Sequence, residues 1–332
     1  MERVMLDRAA TNLAEDNVTA GEDVLVLSST DQPLTLVEAL TAACDRAGAK
    51  TTTTALLVPA RDMADYRHPA PVIAAARQAD LTVVATSMLF PRAYDDLTAA
   101  VMEARRRLVL INNAPPQDFA QGASLADPAA LRARTRDLAA RVSNARTVRI
   151  TSPAGTDLSV EVCRPCLPLT GHAEEDTGFG SFPSGEAMLS PREGSAEGRF
   201  VADSFVQVVY IEGHGPQIGM VDAPIELRFA NGRLTGIDGG RSARLLSRIL
   251  DAADDTARML AELGLGTNPS ARAIAHVENK FRLGTAHVAL GDNHLIGWRG
   301  RSIYGGTLKS GRHVDLVAED ITIELDGVAV MP

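Results

Sequence analysis

Along the first 145 residues, short apolar runs alternate with stretches of helical spacing. VLVLSS at 24–29, TTTTALLV at 51–58, LTVVATS at 81–87 and RLVLINN at 107–113 each read as a β-strand. Between and after them, 34–47, 70–79, 94–105 and 128–144 carry the period of helices, with Gly48 stopping the first. Strand and helix in alternation predict a parallel sheet with helices on its faces. The pattern changes near Arg146. VRITSPAGTDLSVEV reads as two strands around a turn, and Asn231-Gly232 between apolar runs is a hairpin signal. One long helix is expected at 242–263, on the spacing of Leu245, Leu246, Ile249, Ala253, Met259, Leu260 and Leu263, with Gly264 as its stop. Glu262 then falls in its last turn, at the negative end of the helix dipole. The fold class expected is an α/β domain over 1–145 with a structural or oligomer-forming role, followed by an α+β domain over 146–332, rich in antiparallel strands, that carries the chemistry.

A chain of 332 residues exceeds the size at which one core tends to divide, which agrees with two domains. A net charge of -9 argues against a nucleic-acid surface. No apolar run is long enough to span a membrane, the N-terminus lacks a signal core, and three cysteines cannot build a disulfide framework, so the cytoplasm is the expected location. Cys163 and Cys166 form a C-x-x-C with no second pair to complete a zinc site, and read as inert thiols.

Candidate chemistry gathers between Gly284 and Asp315. His313 and Asp315 are one residue apart on a strand and share a face; they can ligate a metal, share a proton or pair structurally. His287 lies in a second apolar run. Glu186 sits where a Pro-Ser-Gly turn enters a strand, which suits a fixed carboxylate or a solvated one. Lys280 and Arg282 are either solvated or hold a substrate carboxylate. Tyr304 and Trp298 are candidates for the mouth of a site, and Gly305-Gly306 for a tight turn. His68 reads as a surface histidine in a loop; His172, His214 and His276 read as surface or core residues, with His172 near enough to the Pro-Ser-Gly turn to line a pocket. The ends of the predicted parallel strands carry no Gly-rich phosphate loop, so no nucleotide site is expected there.

FPSGEAMLSP, LAELGLGTNPSA, GTAHVALG, Gly305-Gly306 and RHVD, in that order, resemble the M29 family of metallo-aminopeptidases, the aminopeptidase T/S group. The likeness runs through the second half of the chain; the first half agrees in layout. The resemblance implies a homodimer and two divalent ions (zinc, cobalt or manganese) held by Glu186, Glu262, His287, His313 and Asp315. It implies a small peptide or amide substrate attacked by a hydroxide. The family's catalytic glutamate, five residues before the ligand histidine, is Arg282 here, and Glu278 is a nearby replacement. Its tyrosine, seven residues after that histidine, is His294. Glu278 or His294 is therefore expected to move protons and Arg282 to contact substrate.

SAEG, LTGIDGG, GLGTNP and HVDL also resemble the 2,5-dihydroxypyridine dioxygenases, which imply one ferrous ion held by two histidines and an aspartate. His313 and Asp315 match two of those ligands. The other ligand histidine falls at Glu262 and an active-site histidine at Ser181. The chain thus keeps the hydrolase ligand set and lacks part of the dioxygenase set. The expectation is a metallohydrolase, with an iron-dependent ring-cleaving dioxygenase as the alternative.

Overall fold

The computed structural model describes residues 2–58, 67–86, 95–112, 116–174, 177–211, 214–294, 302 and 304–330. Trp298 and parts of two of the parallel-strand ends lie outside them.

The chain divides into two compact units, and neither is continuous in sequence. The first holds Met1–Ala130 with Leu169–Ser184; the second holds Leu131–Pro168 and Gly185–Leu295 and resumes at Tyr304. The expected single cut at 145/146 is therefore not where the units part. The first unit is built on a parallel sheet in the order Thr51–Leu57, Asp23–Ser29, Leu81–Ala85, Arg107–Ile111, Phe179–Phe182. The fifth strand, which the sequence pattern did not join to this sheet, pairs parallel to Arg107–Ile111. Glu2–Asn17 forms a helix that the pattern also missed. Its buried stripe is Leu6, Ala9, Ala10, Leu13 and Ala14, mostly alanine, which signals weakly in sequence.

The second unit contains two antiparallel sheets, so the fold is the expected α/β plus antiparallel-rich α+β arrangement. The hairpin at Asn231-Gly232 is present, both residues with positive φ. One element differs. The helix at 242–263 ends at Asp251; a 3-10 turn, Asp255–Arg258, follows with Asp254 capping it, and Leu260–Gly266 is a strand. The apolar residues there alternate as well as they repeat, and two glycines within Leu260–Gly266 disfavour helix. Glu262 therefore lies on a strand, no helix dipole acts on it, and Gly264 is not a helix stop.

This strand is central to the sheet ordered Gly219–Met220, Phe205–Tyr210, Arg312–Ala318, Ala286–Gly291, Leu260–Gly266, Glu186–Leu189, Leu167–Leu169. Its two faces differ. Ala187, Leu189, Leu263, Leu265, Ala286, Val288, Leu290, Val314, Leu316 and Ala318 point into one hydrophobic core. The alternate residues, on the other face, include Glu186, Glu262, His287, His313 and Asp315.

Candidate metal centre

Register brings these five together. His287 pairs with Gly264, Glu186 with Gly266, Ala289 with both Glu262 and Asp315, and His313 with Gly291. Small residues thus stand opposite large polar ones, which makes room for them. The clearest case is Gly264: a Cβ there would lie 1.9 Å from His287 Cε1 and 2.5 Å from its Nε2. The imidazole lies over a backbone that offers no side chain. Gly185, whose φ of +141° suits only glycine, delivers Glu186 into the sheet, and a Cβ on it would lie 2.6 Å from Asn268 Cβ.

All five side chains are buried. His287 Nε2 lies 2.9 Å from Glu262 Oε1, 3.5 Å from Glu186 Oε2 and 3.8 Å from Asp315 Oδ1. His313 Nε2 lies 3.2 Å from Asp315 Oδ1 and 4.0 Å from Glu262 Oε2. Two groups of three result, each with donor atoms within 4.8 Å of one another: Glu186, Glu262 and His287, and Glu262, His313 and Asp315. Glu262 belongs to both. His313 Nδ1 donates to the Asp292 carbonyl at 2.7 Å, which directs Nε2 at the carboxylates, as a ligand histidine requires.

The electrostatics are those of a cation site. Burial pushes the Glu186 carboxyl above its ordinary range, against the pull of Lys280 and His287, and its Oε2 accepts no hydrogen bond from the described residues. Asp315 is desolvated too, yet Lys280 and His313 hold it below the usual carboxylate range. Burial opposes charge on His313, but Asp315 and Glu262 outweigh it, and its pKa is pushed up to about 9. Packing three carboxylates into a buried cluster is costly unless positive charge is supplied. Carboxylate oxygens with imidazole nitrogens suit zinc, manganese, cobalt or iron, so the residues fit a divalent ion.

Part of the compensating charge is a residue whose role the sequence left open. Lys280 is largely covered, its side chain 12% exposed, with Nζ 3.4 Å from Asp315 Oδ2 and 3.7 Å from Glu186 Oε1. Burial disfavours its ammonium, but Asp315, Glu186 and Glu262 more than compensate and keep it charged. Tyr304 stacks on His313 with ring centroids 6.1 Å apart and an interplanar angle of 19°. Burial first, and then the Glu262 carboxylate, raise its pKa, so the phenol stays protonated. Gly306 closes on Asn293: a Cβ there would be 2.0 Å from its Cγ.

The remaining candidates stand apart from this cluster. Glu278 shares the 3-10 turn Val277–Phe281 with Lys280 but accepts from Arg272, at 2.8 Å from the backbone N–H, 3.2 Å from Nε and 3.0 Å from Nη2. Arg282 donates to Glu319 at 2.7 Å. The backbone N–H of His294 donates to Asp292, and its ring makes no hydrogen bond or ion pair with the five ligand candidates among the described residues. If Glu278 serves to anchor Arg272, Glu278→Gln should lower stability by about 2 kcal/mol, measured by urea unfolding, and leave metal content unchanged. Loss of metal would return Glu278 to the site.

His68, expected at the surface, has a side chain only 6% exposed, set between Asp95 and Asp96, with Nδ1 2.6 Å from Asp96 Oδ1. His172 lies against the Asp16 carbonyl, and His276 caps the turn before Glu278. Cys163 is exposed and Cys166 buried, both free, with burial raising the Cys166 pKa.

A profile of the 2,5-dihydroxypyridine 5,6-dioxygenase family matches residues 5–332. The chain belongs to that family. Within this dioxygenase family, the curated enzyme of Pseudomonas putida is 27% identical over 195 residues, which cover 57% of this chain and 54% of the relative; the match thus spans about half the relative's length. The solved structure of 2,5-dihydroxypyridine dioxygenase from Pseudomonas putida KT2440 superposes with a TM-score of 0.74 at 23% identity, covering 99% of this chain and 95% of that one. Wild-type AmpT from Thermus thermophilus superposes with a TM-score of 0.65 at 17% identity, covering 100% of this chain and 98% of that one. At these identities the two structures establish the fold, which dioxygenase and AmpT share. The family places the chain among enzymes, and the side-chain cluster supplies candidate metal ligands. No described helix is long and apolar enough to cross a membrane.

Proposed function

We propose that the chain is a metal-dependent hydrolase that cleaves an amide or small peptide bond. The observation that carries this reading is the five-residue cluster itself: each of its two groups pairs one histidine with two carboxylates, so that three carboxylates face two histidines. Glu186, Glu262, His287, His313 and Asp315 would hold a divalent ion, which would supply a hydroxide near neutral pH and polarise a carbonyl. The chain's own groups do the rest. The Lys280 ammonium, beside the carboxylates, sets a positive field in the pocket, which favours a developing oxyanion. Tyr304, kept protonated beside the carboxylates, is a neutral O–H donor for that oxygen. We assign proton donation to Tyr304 ahead of Glu278, which Arg272 engages, and of His294. With Arg282 turned to Glu319, substrate contact falls to Lys280 and Tyr304. A homodimer in the cytoplasm remains the expectation from the sequence.

Membership of the dioxygenase family favours a second reading, ring opening with one ferrous ion held through His313 and Asp315. Against it stand Glu262 in place of a histidine and Ser181, whose hydroxyl donates to Asn112 at 2.8 Å. Two assays on the purified protein separate them. Loaded with zinc, cobalt or manganese, it should release product from aminoacyl anilides or small amides without consuming oxygen. Oxygen uptake on 2,5-dihydroxypyridine with ferrous iron under anaerobic loading, and no amide cleavage, would reverse the order.

A further inference from the structure

Each of two carboxylates in the centre is split between two neighbours. Asp315 turns Oδ1 to the histidines, 3.2 Å from His313 Nε2, and Oδ2 to Lys280 Nζ at 3.4 Å. Glu186 turns Oε2 towards His287 Nε2 at 3.5 Å and Oε1 to the same ammonium at 3.7 Å. On the histidine side Glu262 completes the set, with one oxygen nearer each imidazole. The ammonium therefore spans one carboxylate from each ligand group, Glu186 from the first and Asp315 from the second. A cation that bridges two carboxylates inside a ligand cluster occupies the electrostatic role of a metal ion.

We propose that Lys280 is a built-in second cation of this centre, and that its charge is what excludes the second divalent ion that the aminopeptidase resemblance implies. Charge supports the count. Glu186, Glu262 and Asp315 bring three negative charges, of which the Lys280 ammonium cancels one. One divalent ion then balances the charges of the protein's own groups, with both imidazoles uncharged. A second would leave two uncompensated positive charges in a site from which water is largely excluded, an arrangement that desolvation penalises heavily. Position supports it as well. Lys280 is fixed on a short 3-10 turn whose next residue, Phe281, is fully buried, and its Nζ lies 5.8 Å from that ring's centroid. The turn roots Lys280 beside the carboxylates, where its ammonium and a second ion would compete for the same two oxygens, Asp315 Oδ2 and Glu186 Oε1. The inference rests on the metal-centre reading of these five residues and not on which bond the centre breaks.

The test is a metal count on tag-free, full-length protein stripped with chelator, titrated with Zn2+ and measured by calorimetry and by elemental analysis after gel filtration. Wild type should retain one equivalent per chain. Lys280→Met, which keeps the length and apolar stem but removes the charge, should retain two. Two equivalents in wild type, or a single equivalent with unchanged affinity in Lys280→Met, overturn the proposal. No retained ion in either protein overturns the metal-centre reading together with it, whereas failure to hydrolyse amides with the predicted count leaves this inference standing and removes only the proposed activity. The wild-type count needs no variant, so a Lys280→Met that does not fold still leaves the proposal open to refutation.

Discussion

Glu262→Gln should abolish metal binding and turnover together. Glu262 is common to both ligand groups, with Oε1 2.9 Å from His287 and Oε2 4.0 Å from His313. Glutamine keeps the volume but replaces one carboxylate oxygen with an NH2, which donates hydrogen bonds and cannot ligate. Outer-shell partners alone change metal affinity by about 10–100-fold, so loss of a shared ligand should cost at least about 100-fold. The fold should survive, because the substitution removes one of three buried like charges while Lys280 still pairs with Asp315 and Glu186 and cancels one of the two that remain. Elemental analysis and a thermal melt on the same sample distinguish a lost site from a lost fold. Full occupancy with unchanged activity would remove Glu262 from the centre. The same comparison applies to His313→Ala, for which metal and activity should also fall together.

Gly264→Ala should damage the centre almost as severely, although residue 264 offers no donor atom. The new methyl would lie 1.9 Å from His287 Cε1, well inside contact distance, and 2.6 Å from Nδ1. Gly264 and His287 are cross-strand partners, so neither backbone can shift without disturbing the pairing on both sides. The imidazole must leave its rotamer and take its nitrogen from the Glu186–Glu262 pair. Overpacking of this kind costs about 1–3 kcal/mol in stability. The larger consequence is for metal affinity, which should drop by about 10-fold or more. Wild-type affinity in Gly264→Ala would show that His287 is not held against the strand as described.

These two variants mark how much of the centre was legible in the chain. Glu186, His287, His313 and Asp315 each sit beside a local signal (a Pro-Ser-Gly turn, an apolar strand run, a one-residue spacing) that left their roles open, and only the resemblance to a known family grouped them. Glu262 is readable as a residue but not as a strand residue. The run from Leu245 to Leu263 satisfies a helical period well enough to hide the turn at Asp254, and only pairing with Ala286–Gly291 shows that its second part is extended. Lys280, two residues from Arg282, looked equivalent to it. The fold sends one to Glu319 and the other into the carboxylates. The helix Glu2–Asn17 and the strand Phe179–Phe182 were missed for related reasons. Alanine buries a face without announcing it, and a strand far along the chain carries no local mark of the sheet it joins.

The sequence by itself determined the kinds of layer, the parallel character of the first sheet and the hairpins of the second half, because these follow from side-chain period and turn residues within a few positions; the set of candidate donors came only with the resemblance to a known family. Tertiary structure decided which face those donors share, that a glycine lies beneath an imidazole, and that an ammonium stands among the carboxylates. Such facts depend on strand register and on where a short turn sends one flexible side chain. Neither is encoded locally: register is set by pairing between segments as far apart as Glu186 and Gly266, and the lysine's direction by charges that only folding brings within its reach.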